Sequence, residues 1–141
     1  MEFYNSKYFE AYNNTFIKLN KCRALVNTLY RDTSYEIQYA RSMFAEYAKS
    51  HKEFLDELEK NSLFINEEVY NMFYDLLNII HFWGREFEDE YNNLSLMSTV
   101  ISIPSNKYYK FKNEIEPSIK KDYDILKSKI KETIENMKEA L

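Results

Sequence analysis

The chain has 141 residues, a net charge of −4 and 17% aromatic side chains, which suits one folded domain and argues against disorder, because aromatics bury large areas. One Gly and two Pro are too few for a β-rich fold, whose turns need residues at positive φ. The apolar runs fall well short of the roughly 20 residues of a membrane span, and the N-terminal MEFYNSKYFEAYNN lacks a basic-then-apolar leader. The single Cys22 permits no internal disulfide, so the expected location is cytoplasmic.

Charge is unevenly placed. Residues 1–49 carry seven Lys/Arg against five Asp/Glu, residues 50–104 three against eleven, and residues 105–141 nine against seven. The acidic middle repels phosphate, so nucleic acid is not an expected partner, and without a spanning run neither is a membrane. Heavy use of Asn, Lys, Ile and Tyr resembles the coding bias of AT-rich bacterial or phage genomes.

From the N-terminus, Phe9, Tyr12, Phe16, Leu19, Arg23, Val26, Tyr30, Thr33, Ile37, Ala40, Phe44, Tyr47, His51, Phe54 and Leu58 recur at alternating spacings of three and four. That unbroken phase predicts one long helix over about residues 3–60, kinked near 32–34, where Thr33 and Glu36 match a capping box. Asn61-Ser62 ends it. Asn66 then caps a second helix over 66–91, with Glu67 and Glu68 in its first turn and Ile65 placed to staple against Tyr70. The stretch Lys60-Asn61-Ser62-Leu63-Phe64-Ile65-Asn66-Glu67-Glu68-Val69-Tyr70 is similar to helix connections in uncharacterised bacterial helical proteins, a resemblance that implies no activity. Val69, Phe73, Leu76, Ile80, Trp83, Phe87 and Tyr91 form the second seam. Gly84 within it points to a close helix approach beside Trp83, with a kink as the other option.

Residues 92–106 lose the pattern and read as a connector with its apolar residues tucked against the bundle. Helical turns over Lys107–Ile115, Pro117 in a first turn, and a seam of Ile119, Tyr123, Leu126, Ile130, Ile134, Met137 and Leu141 predict a C-terminal helix over about 107–140. The fold class is therefore all-α: a single-domain, elongated bundle with a long N-terminal helix. A break at 32–34 is the alternative and gives an ordinary four-helix bundle.

A 50-residue helix outreaches a partner of 26 residues, so the stripe Phe9, Tyr12, Phe16, Leu19, Val26 needs another cover, either the C-terminal helix or a second chain. The second option makes a homodimer. Tyr4, Tyr8, Phe9, Tyr12 and Phe16 form a dense aromatic end, and Tyr8, Phe9, Tyr12, Phe16 and Leu19 are the candidate partner-binding residues there. The acidic run Glu86, Glu88, Asp89 and Glu90 is a second candidate surface. His51 and His81 read as packed imidazoles and Cys22 as a small helix residue. Neither a Glu-x-x-His pair, nor a His-Glu-x-x-His motif, nor a glycine-rich phosphate loop occurs, so no cofactor, metal or catalytic residue is expected. The functional expectation is a non-enzymatic, self-associating helical protein-interaction module. One alternative is a small inhibitor or immunity protein whose acids meet a basic protein surface. The other is a ligand-binding bundle with a pocket near His81, Trp83 and Cys22.

Overall fold

A computed structural model describes residues 2–95 and 97–139, with side chains from Ser6 onward. Helix α1 (Glu2–Leu29) is followed by a short strand β1 (Ser34–Glu36) and helix α2 (Ile37–Lys60). Helix α3 (Glu67–Asn92), strand β2 (Val100–Ser102) and a last helical rod complete the chain; the rod comprises α4 (Ser105–Lys110), a π-helical turn (Phe111–Ile115) and α5 (Glu116–Glu139). The architecture is an all-α bundle with one two-stranded antiparallel ribbon. The side chain of Tyr4, and Leu141, lie outside the described residues.

The single helix over residues 3–60 is not present, and the four-helix alternative holds. After Leu29 the chain tightens: Tyr30 N–H bonds Asn27 O (3.3 Å) and Arg31 N–H bonds Thr28 O (3.2 Å). The Tyr35 hydroxyl then closes the helix end by donating to Thr28 O (3.0 Å) while accepting the Asp32 N–H (2.8 Å). A side chain from beyond the helix thus gives Thr28 O a second donor where the i→i−4 ladder ends. Strand β1 pairs with β2 in the register Ser34↔Ser102, Tyr35↔Ile101, Glu36↔Val100, so Tyr35 and Ile101 enter the core together. Flanking bonds extend the ribbon, from Ile103 N–H to Thr33 O (2.7 Å) and from Ile37 N–H to Thr99 O (2.9 Å). The cap of α2 is therefore Glu36 rather than Thr33, its carboxylate accepting from the Gln38 and Tyr39 N–H groups, each at 3.0 Å. The connector at 92–106 does tuck Ile101 and Ile103 against the bundle, and it does so as a strand.

The four main helices run up, down, up, down. Contacts Cys22–Ser50 and Lys18–Glu53 place α1 antiparallel to α2; Phe54–Phe73 and Tyr47–His81 do the same for α2 and α3. Lys129–Glu68 and Lys107–Glu86 set the last rod antiparallel to α3. At 1.5 Å per residue α1, α2, α3 and α5 are about 36–42 Å long and match in length, while the whole last rod reaches about 52 Å. Helix α1 is apolar on more than one side because α2, α3 and α5 all pack on it. Its large residues Tyr12, Leu19 and Val26 are buried, and so is a stripe of smaller ones, Ala11, Thr15 and Cys22.

Local signals hold where the chain's own neighbours satisfy them. The Asn66 side chain accepts the Val69 N–H at 2.8 Å and starts α3 as expected. The last rod begins earlier than Pro117, which falls second in α5. The widened turn just before it, with Glu116 N–H bonded to Phe111 O, lets a residue without an N–H continue the rod without breaking it.

Candidate functional site

The aromatic stripe of α1 is covered within the chain, which corrects the reason for a second copy on that face. Tyr12 and Leu19 are fully buried, and the Tyr12 hydroxyl accepts the Asn66 N–H at 2.9 Å, tying α1 to the start of α3. Phe16 lies half-buried on the Tyr123 ring of α5, centroids 4.7 Å apart. Tyr8 meets Phe64 edge-on at 5.5 Å, and Phe9 lies beneath the Lys138 ammonium at 5.5 Å. The C-terminal helix is the cover, and Tyr12 and Leu19 present no surface to a partner.

The acidic run divides into two pairs. Glu86 and Glu90, one turn apart on α3, both hold Lys107 at the start of the last rod, at 2.8 and 2.6 Å. Burial alone would push the Lys107 ammonium down, but hydrogen bonds and charge from the two carboxylates outweigh it and hold the group above its usual range. These acids clamp the fold and are not free for a basic partner. Glu88 and Asp89 carry no ion pair among the described residues; Asp89 is exposed and Glu88 half-buried near His81, so the inhibitor reading keeps two of its four acids.

Helices α2 and α3 bring the two histidines together. His51 and His81 stack with ring centroids 3.8 Å apart and planes within 14°, and the Tyr47 hydroxyl lies 2.8 Å from His81 Nδ1. Burial raises the Tyr47 phenol far above its usual range, so it keeps its proton and is able to donate to Nδ1 when the His81 proton sits on Nε2. Burial, then the neighbouring His81, pushes His51 down to about 4. His81 is lowered by burial and by Arg85, against an opposing pull from Glu88. Both rings are neutral near pH 7.

The sign of the linkage follows. In the unfolded chain each histidine binds a proton below about pH 6.5. The stability gained by keeping the rings neutral is complete above that pH and is lost as pH falls toward 4. Urea unfolding is expected to show a decline over this window of about 1–2 kcal/mol from the pair, allowing for solvent screening of half-buried rings. His51→Gln should flatten it; an identical slope in the variant would show that the pair does not titrate this way.

Of the three residues expected to border a pocket, Trp83 is buried and His81 packs on His51. Cys22 is fully buried, its Sγ 3.3 Å from Ser50 Oγ, and burial raises its thiol. No group of three or more His, Cys, Asp or Glu side chains among the described residues is arranged to hold a metal ion. No helix among them is long and apolar enough to cross a membrane.

Among the described residues, open grooves flank α5 on two sides. Between α3 and α5, Met72, Leu76, Ile79 and Ile125 line a groove of about 240 Å³ with Asp75 and Asp122 at its edges. It continues into a wider one bordered by Glu68, Lys120, Lys121, Asp124 and Lys129. Phe82, one turn on from Ile79, is 54% exposed and Ile125 50%. On the other side of α5, against α1, Phe16, Ile130 and Ile134 floor a groove of about 400 Å³ rimmed by Lys127, Lys131 and Lys138. The sequence marks these lysines only as residues around a seam, and it gives no sign of the Phe82–Ile125 face. Compared with protein-family models, with curated proteins and with solved structures, the chain matches none.

Proposed function

We propose that this chain is a non-enzymatic helical protein-interaction module that self-associates, and that the contact is the α3/α5 face. The observation that carries the reading is an apolar strip in which Phe82 and Ile125 are left half exposed, and Met72 and Ile79 partly so, after the core is complete. A two-fold contact sets a patch against its own copy, so the patch must carry both signs of charge to be self-complementary. This groove does, with Asp75 and Asp122 beside Lys120 and Lys121. About half of the Phe82 and Ile125 side chains remains to be buried, worth about 1 kcal/mol apiece, with less from Met72 and Ile79, which sets the association in the roughly micromolar-to-millimolar range.

Light scattering across a concentration series is expected to rise from one chain mass to two. Phe82→Asp/Ile125→Asp should hold the mass at one chain with an unchanged circular dichroism spectrum, since both side chains are exposed. A single-chain mass for the wild type at the highest soluble concentration would overturn the reading, as would a dimer that survives the double substitution.

A further inference from the structure

The α1/α5 groove differs from the α3/α5 face in charge. Its floor is Phe16, Ile130 and Ile134, and its rim is Lys127, Lys131 and Lys138 against the single Glu135. Lys127, Lys131 and Lys138 fall on one side of α5, at spacings of four and seven. None of them has a carboxylate within ion-pair distance among the described residues, whereas Lys107, Lys112, Lys120 and Lys129 on the same rod all do. Beyond the groove's end the Arg23 guanidinium lies over the Tyr123 ring at 4.5 Å, and its buried Nε has no hydrogen-bond partner. Positive charge on this side of the molecule is therefore uncompensated, in a protein that is acidic overall.

We infer that this groove docks an acidic amphipathic helix from a protein partner. A patch of one sign repels its own copy, so the two-fold logic of the α3/α5 face does not apply here. The lining spans Lys127 to Lys138, about 16 Å or three helical turns. That length suits a row of apolar side chains spaced i, i+4, i+7 with the partner's backbone lying outside. Glutamates flanking that row would reach Lys127 and Lys131 on one side and Lys138 at the far end. The inference rests on the lysine rim and the apolar floor, not on self-association.

The test uses the full chain and a fluorescein-labelled helical peptide of about 15 residues, with Leu at the i, i+4, i+7 and i+11 positions and Glu beside them. Fluorescence anisotropy is expected to show binding at roughly micromolar peptide, weakening at least about tenfold between about 0.05 and 0.5 M salt. Lys127→Glu/Lys131→Glu, two exposed positions, should weaken it at least about tenfold with the circular dichroism spectrum unchanged. The same peptide with Lys in place of Glu, or with Ser in place of Leu, should not bind. Phe82→Asp/Ile125→Asp should bind the Glu peptide as the wild type does, so a failure of self-association leaves this result readable. No binding at about millimolar peptide would overturn the inference, as would equal binding by the Lys-to-Glu variant or equal capture of the Lys peptide. Wild-type protein pelleting with phosphatidylglycerol vesicles while ignoring the Glu peptide would also overturn it, and would assign the groove to a lipid surface.

Discussion

Replacing Tyr30 with alanine is expected to lower the unfolding free energy by about 3–5 kcal/mol, as for other large aromatics truncated in a core. Tyr30 sits just past the end of α1, where the chain turns toward β1, and it is fully buried. Its ring stacks on Phe111 of the π-helical turn at 4.3 Å and meets Trp83 and Phe87 of α3 edge-on at 5.9 and 6.3 Å. Its hydroxyl donates to Trp83 O at 2.6 Å. Burial, and then the charges of Glu86, Glu90 and Asp89, hold the phenol far above its usual range, so the donor keeps its proton. One side chain thus joins the end of α1, the middle of α3 and the start of the last rod. Tyr30→Phe keeps the ring and removes only the hydrogen bond, so about 0.5–1.5 kcal/mol is expected there. Urea denaturation of both variants measures the split. A loss below about 1 kcal/mol for Tyr30→Ala would mean that the ring is not enclosed by these three partners.

The same region shows why part of the fold was legible in the sequence and part was not. Helix α3 was readable because its start is written locally: Asn66 caps, Glu67 and Glu68 occupy the first turn, and the seam follows at once. The end of α1 is not written locally. Heptad phase runs straight through residues 30–36, and what stops the helix is Tyr35 folding back and β1 pairing with a strand far along the chain. Large apolar residues mark the seam, so Ala11, Thr15 and Ser50, which with Cys22 form a buried small-residue stripe, leave no periodic signal.

The candidate surfaces follow the same division. The acidic run was visible as a run, but Lys107, which turns Glu86 and Glu90 inward, reaches them only after the intervening connector has crossed the bundle. The lysines of α5 were visible among interleaved glutamates. Which of them find a carboxylate depends on the register of α5 against α3: Lys129 meets Glu68 across the interface, while Lys127 and Lys131 face away. Uncompensated charge is a property of packing, and residue order alone does not contain it.

Gly84→Ala tests the close approach, one of the two readings that Gly84 carries in the sequence. On an exposed helix this change stabilises by about 1 kcal/mol, because alanine loses less backbone entropy. Here a Cβ on Gly84 would lie 2.5 Å from Tyr47 Cε2 and 2.7 Å from Cζ. Those atoms belong to a rigid ring that is fully buried, bonded through its hydroxyl to His81 and packed beside Phe44 and His51. The ring moves only as a plate, which pulls the hydroxyl from Nδ1 and disturbs the histidine stack. Overpacking of this kind costs about 1–3 kcal/mol; offset by the propensity gain, a net loss of about 1–2 kcal/mol is expected in urea denaturation. Removing the ring should reverse the sign. In a Tyr47→Leu background the clash is gone, and Gly84→Ala should be neutral or stabilising by up to about 1 kcal/mol, giving a double-mutant coupling well beyond the additivity of independent sites. The same loss in both backgrounds would show that Tyr47 is not what requires glycine, and that the two helices do not meet through this ring.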